Sequence, residues 1–290
     1  MRPKIVIAYD ATSAAADGLA LGALLADLRG AELLVAHVLP HSRSGDATER
    51  ALQASFRATL QETREAAAEL LDGRAFELWP VFGESVAEGI DDLAGDQGAE
   101  LIVFGSPHHG SVGRALLGNA AEAASDGAPC AVAVAPRHFR FHDRLEPPVV
   151  GVAFDGSAES EAAIAAAVPL ARAAGATLRL IAVEPSGWSR PIRHHGPVAP
   201  ALELLGAEID GGLQVETRLL HGDPVHALRR ETEEVGLLVC GSRARGPLAR
   251  VMLGSVSAAV IRGAGCPVLV VPRRVLHPTE ALPLAALSRI

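Results

Sequence analysis

Two glycine-framed segments of this chain have the residue types to hold a phosphate. Gly241 to Ser257 reads GSRARGPLARVMLGSVS, and Gly105 to Ala121 reads GSPHHGSVGRALLGNAA. Each has a Gly-Ser pair after an apolar run, an arginine further on (Arg114, Arg250), and a second glycine (Gly118, Gly254). The later copy places Ser255 and Ser257 where the earlier one has Asn119 and Ala121. Glycines framing a loop that leads into a helix let backbone N–H groups wrap an anion, and hydroxyls add donors. The two copies suggest two nucleotide-type sites, one intact and one eroded. Arg243, Arg245 and Arg250 favour an anion at the later copy, although arginines in a surface loop are also what plain solvation would produce.

Such loops need strands and helices to hold them. Apolar runs at 149–154, 178–183, 215–220, 237–240 and 267–271 alternate with helical stretches near 159–174, 200–211, 223–234 and 255–263. The runs are apolar almost continuously, as strands buried on both faces are. Strand–helix alternation predicts an α/β fold with a parallel sheet and right-handed crossovers. The first half repeats the pattern: KIVIAYDATS from Lys4 matches VVGVAFDGS from Val149, and AELLVAHVLP from Ala31 matches ATLRLIAVEP from Ala176. Domains are therefore expected over 1–146 and 147–290, with Arg137–Pro148 as the linking segment. The segment 186–200 reads as a lid-like or disordered loop, and the tail 273–290 has no evident partner.

In an open parallel sheet, ligands bind at the carboxyl ends of strands where the strand order switches. Asp10 and Asp155 end the first strand of each half, and the Gly-Ser pairs end the fourth. Asp155, Gly241 and the Gly254–Ser257 turn should thus converge. Asp155 could accept from ribose hydroxyls or take part in a metal–phosphate arrangement; it could also simply cap a turn, as Ser255 could cap its helix.

Composition limits the rest. The chain has 290 residues, 49% hydrophobic and 21% charged, enough for two cores. Residues 1–146 hold 12 basic and 21 acidic side chains, and residues 147–290 hold 14 and 13. Neither balance invites a nucleic acid. Cys130, Cys240 and Cys266 lie in or beside apolar runs and read as buried, reduced thiols. With no leader-like start and no membrane-length apolar run, a cytoplasmic location is expected. The chain has no G-x-x-x-x-G-K-[ST], no G-x-G-x-x-G after a first strand, no G-x-S-x-G elbow, and a single lysine, Lys4. The His pairs 108–109 and 194–195 lack metal-ligand spacing. No catalytic residue is nominated.

In layout and motif the chain resembles the universal stress protein family in its tandem two-domain form, over about 3–136 and 148–272. The family's G-x2-G-x9-G-[ST] signature falls on Gly241, Ala244, Gly254 and Ser255, continuing through Val256 and Ser257. In the first half it falls on Gly105, His108, Gly118 and Asn119. The middle glycine is replaced in both. Asp10 and Asp155, Val38 and Val183 (beside adenine in the family), and Gly83 and Gly222 (opening the third helix) follow the same pattern. The resemblance implies two flavodoxin-like (Rossmann-like) domains with five-stranded parallel sheets, paired through Cys130–Ala135 and Cys266–Val271 as a pseudo-dimer, and a further homodimer. It implies ATP or AMP as ligand, with Mg as companion ion, at Asp155, Val183, Gly241, Ala244, Gly254, Ser255, Val256 and Ser257. The expected function is stress-response sensing or regulation through a protein partner. Slow ATP hydrolysis or self-phosphorylation, or a nucleotide-free interaction module, are the alternatives.

Overall fold

The computed structural model describes residues 2–40, 46–83, 85–106, 126–142, 145–184, 198–209, 212–242, 251–252 and 254–272. The chain divides into two compact units, Met1–Asp143 and Arg144–Ile290.

The first unit runs β1 (Lys4–Ala8), α1 (Ser13–Arg29), β2 (Glu32–Pro40), α2 (Asp46–Leu71), β3 (Glu77–Gly83), α3 (Val86–Gln97), β4 (Leu101–Gly105), a short β5 (Asp126–Ala128) and β6 (Ala131–Ala135). Its sheet has the order β3-β2-β1-β4-β6, all parallel. Ile5, Val6 and Ile7 pair with Leu33, Leu34 and Val35 on one side and Leu101, Ile102 and Val103 on the other, and all are buried. Central strands covered on both faces need apolar side chains at every position, which is why these runs do not alternate. Lys4 begins β1 and donates to Gln97 Oε1 at 2.9 Å, tying the strand to the end of α3.

The second unit runs β7 (Val149–Phe154), α4 (Ala158–Ala174), β8 (Thr177–Glu184), α5 (Val198–Ile209), β9 (Val215–His221), α6 (Pro224–Glu231), β10 (Leu237–Gly241), a short β11 (Val251–Met252), α7 (Ser255–Ile261) and β12 (Val268–Val271). Its sheet order is β9-β8-β7-β10-β12, again parallel. Both units are thus α/β with the strand order that switches between the first and fourth strands. They differ in the connection after the second strand, where α2 has 26 residues and α5 has 12.

Two sequence expectations meet the structure differently. The unit boundary, after Asp143, falls inside Arg137–Pro148, so that segment joins the halves as expected, but its first part also binds the first unit. Asp17 of α1, 1% exposed, accepts from the backbone N–H of His138 at 3.0 Å and of Arg140 at 3.1 Å, and from the Arg140 guanidinium at 3.1 Å. Phe139 is buried beside it. A buried carboxylate is stable only when hydrogen-bonded, so Asp17 draws residues 138–140 into the first unit. Second, α5 begins at Val198, inside the stretch 186–200 expected as loop. The rest of that stretch and the tail 273–290 lie outside the described residues.

Candidate functional site

The switch point of the second sheet lies between β7 and β10. Asp155 follows β7 directly, and Gly241 is the last residue of β10. Asp155 is exposed. Its Oδ1 accepts from the Ser157 backbone N–H at 3.1 Å and from the Ser157 hydroxyl. Ser157 in turn caps α4, accepting from Ser160 N–H at 3.2 Å. Gly156 takes φ 77° between them. One carboxylate oxygen therefore fixes the turn, while Oδ2 has no protein partner among the described residues.

Gly241 has a steric reason to be glycine. A Cβ there would lie 2.4 Å from the Glu159 carbonyl oxygen and 2.5 Å from its carbon. The same holds for Gly105, where a Cβ would lie 1.7 Å from the Ala14 carbonyl oxygen. Gly18 completes that contact, its missing Cβ falling 2.7 Å from Gly105 N. In each unit the end of the fourth strand touches the first helix backbone to backbone. Close helix–strand approach accounts for the repeated glycine independently of any phosphate.

Ser242 follows Gly241. Its N–H donates to Val271 O at 2.8 Å, but its hydroxyl, in a fully buried residue, has no hydrogen-bond partner among the described residues. Val183 is half-buried on β8 opposite Leu220. Gly222 precedes α6 with φ 126° and donates to Glu184 O at 2.9 Å; Asp223, not Gly222, caps the helix. In the first unit Ser85, two residues after Gly83, is the corresponding cap.

Gly254 is the N-cap of α7, with φ −65° and ψ 151° and no side-chain cap bond. Ser255 is therefore the first helical residue and not the cap, which corrects the alternative reading of it. Ser255 is exposed, Val256 half-buried and Ser257 buried. The structure brings Asp155 and Gly241 to adjacent strand ends. Ala244 lies outside the described residues, as do Arg243, Arg245, Arg250, His108, Arg114, Gly118, Asn119 and Ala121. The three thiols are buried and free, and burial pushes each up to about 12, which keeps them protonated and inert.

Sequence reasoning missed a buried polar group in the first unit. His37 of β2 is buried, with Nδ1 3.2 Å from Thr63 Oγ1 on α2; Thr63 donates to Thr59 O at 2.8 Å. Burial holds the His37 pKa below its ordinary value, against the opposing pull of Asp10 and of a bond to the Tyr9 backbone. Burial also raises the Tyr9 phenol, helped by Asp10 and Glu69. The only signal in the sequence was a histidine inside the apolar run LLVAHVL.

The profile of the Universal stress protein family matches residues 1–136 and 148–272. The chain belongs to the universal stress protein family. A universal stress protein of Mycolicibacterium smegmatis (strain ATCC 700084 / mc(2)155) is 30% identical over 206 residues, covering 66% of this chain and 67% of the relative. One from Mycobacterium tuberculosis (strain ATCC 25618 / H37Rv) is 34% identical over 186 residues, covering 59% of this chain and 61% of the relative. The match to the latter thus spans about three fifths of the relative's length. The crystal structure of a universal stress protein from Archaeoglobus fulgidus DSM 4304 shares the fold, with TM-score 0.68 and 21% identity over 93% of this chain and 98% of that one. In both universal stress protein units the Asp-x-[Ser/Thr] turn and the strand-end glycine occupy the switch point. Among the described residues, no helix is long and apolar enough to cross a membrane.

Proposed function

We propose that this universal stress protein binds an adenine nucleotide, ATP or AMP, in its second unit and serves as a stress-response regulator through a protein partner. The observation that supports this reading is the Ser242 hydroxyl. It is buried at the end of β10 with no partner among the described residues. An unsatisfied buried polar group costs about 1–3 kcal/mol, and a ligand oxygen at the strand ends would supply the missing bond. The chemistry of the neighbouring groups fits a nucleotide. Asp155 Oδ2, without a partner among the described residues, could accept from a ribose hydroxyl or face a Mg ion on the phosphates. Gly241 leaves the strand end low, Val183 offers an apolar wall, and Gly254, Ser255, Val256 and Ser257 present backbone N–H groups and hydroxyls. Ala244 belongs to the same loop by sequence. A bound Mg–nucleotide would bring the charge that such donors neutralise; the chain's own contribution is to orient it.

Turnover is not part of the proposal. The single lysine, Lys4, sits at the amino end of β1, at the opposite end of the strand from the Asp-led turn. The internal pseudo-dimer, the homodimer and a cytoplasmic location are carried in this proposal by the sequence resemblance alone.

Calorimetric titration with MgATP tests the reading. The wild type should bind with a stoichiometry near one, lost in Gly254→Val and kept in Gly118→Val, and weakened in Ser242→Ala. Two equivalent sites, or equal loss in both glycine variants, would refute an asymmetric site. No binding at all would leave the acidic first half as the docking surface of a nucleotide-free module. Phosphate release abolished by Asp155→Asn, or label on Ser255 or Ser257, would make the protein a slow enzyme.

A further inference from the structure

We infer that Arg229 is a positioning residue for the start of α7: from α6 it closes the far end of that helix and so sets where Gly254 to Ser257 meet the ligand. This rests on the nucleotide reading above. Helix α7 has seven residues and no side-chain bond at its N-cap. A helix that short does not hold itself. At its other end the last turn tightens, because Gly263 N–H donates to Val260 O at 3.0 Å. The Ala259 carbonyl is thereby left open. Arg229 fills it, donating from Nε at 3.0 Å and also from its terminal nitrogen. A guanidinium at a helix C-terminus is favoured by the helix dipole as well as by the bonds.

The surrounding residues fit this contact. A Cβ on Gly263 would lie 2.9 Å from Arg229 Nε, so the glycine makes room for the side chain. Thr232, buried one residue after α6, donates to Arg229 O at 2.6 Å and accepts from Gly265 N–H at 2.9 Å. The turn between α7 and β12 is thus tied to α6 twice. At its other end α6 is fixed beside Val183: Asp223 caps it through His226 N–H at 2.9 Å, and Gly222 N–H bonds Glu184 O at 2.9 Å. One helix therefore sets the spacing between the apolar wall on β8 and the donors that begin α7. Arg229 touches no ligand; it acts through α7.

The test compares Arg229→Met, Arg229→Lys and Arg179→Met by MgATP titration, with amide hydrogen exchange over 255–261. Arg179 pairs with Glu216 at 3.1 Å and reaches the end of α6 at Glu231, 3.8 Å away, with no contact to α7 among the described residues, so it is the control for loosening α6 while the bond to Ala259 is kept. Arg229→Met should bind about tenfold more weakly, as displaced supporting groups cost elsewhere, and its α7 amides should exchange faster. Lysine, which can still give one charged bond to Ala259 O, should restore part of both. Arg179→Met should leave the affinity unchanged. Wild-type affinity in Arg229→Met, or equal loss in Arg179→Met, overturns the inference. A wild type that binds no nucleotide overturns the nucleotide reading itself. Unchanged α7 exchange in Arg229→Met overturns the holding of α7 separately.

Discussion

The turn after the leading strand is built twice, from Asp10-Ala11-Thr12 and from Asp155-Gly156-Ser157. In both, one carboxylate oxygen takes a backbone N–H and a hydroxyl two residues on, and that hydroxyl caps the next helix. The middle residue is left-handed in both, with φ 59° on Ala11 and 77° on Gly156. Behind the turn the units part. The first packs Tyr9 and His37 with Thr63, whereas the matching positions in the second are the apolar Phe154 and Ala182. The aspartate and the strand-end glycine are thus demanded by the fold in both units. Neither one alone marks a ligand site. What separates the units is what surrounds that shared frame: a strained turn and a polar interior in the first, and a relaxed turn with Ser242, its hydroxyl unpartnered among the described residues, in the second.

The largest effect should come from filling the shared backbone contact. Gly105→Ala and Gly241→Ala each force a methyl into a carbonyl, and the cost should be about 3 kcal/mol or more. Gly105→Ala should be worse, because its clearance is smaller. Chemical denaturation followed by unit-resolved hydrogen exchange reads this, and a tolerated alanine at either site would mean the contact is not structural.

Exchanging the middle residues of the turns comes next. Ala11→Gly should stabilise the first unit and Gly156→Ala destabilise the second, each by about 1 kcal/mol, since left-handed backbone strains any residue with a Cβ. Opposite signs in urea midpoints would sharpen the comparison; equal signs would break it.

The smallest effect is a pH dependence confined to the first unit. Burial lowers the His37 pKa below its unfolded value. Between the two values the unfolded chain binds more protons, so stability rises with pH there. The contribution is complete above the unfolded value of about 6.5 and is lost as pH falls through the folded one. His37→Ala, copying Ala182, should flatten that slope in the first unit and leave the second as it was. A slope unchanged by the substitution would assign acid sensitivity to other groups.

The central strands of both units were legible because burial on two faces leaves an unbroken apolar run, as in Leu101–Phe104 and Val149–Phe154; the edge strands Glu77–Gly83 and Val215–His221 are partly exposed and mix polar with apolar residues. The repeat then placed Asp155 and Gly241 at the switch point. The reason for Gly241 was not legible, because it depends on how closely α4 passes, a distance no spacing in the sequence encodes. That His138 and Arg140 bind back to the first unit was not legible for a similar cause: their partner, Asp17, lies far back in the chain. His37 was missed since a lone polar residue in an apolar run says nothing of its neighbours until α2 brings Thr63 to it. The short strands Asp126–Ala128 and Val251–Met252 carry too few residues to show a period.

Lys4 gives the protein an unusual handle for conjugation. It is the only side-chain amine in 290 residues, half-buried and bonded to Gln97 at the amino end of β1. An acylating dye, a biotin ester or an activated surface therefore has one lysine to find, away from the strand ends where the first unit's Asp10 turn lies. Reaction there should place one side-chain tag per chain beside β1, in addition to any on the terminal α-amine, with release of the Gln97 amide as its structural cost. A chain tethered through Lys4 would turn the carboxyl-end crevice of its first unit toward a flowing ligand, without any engineered cysteine.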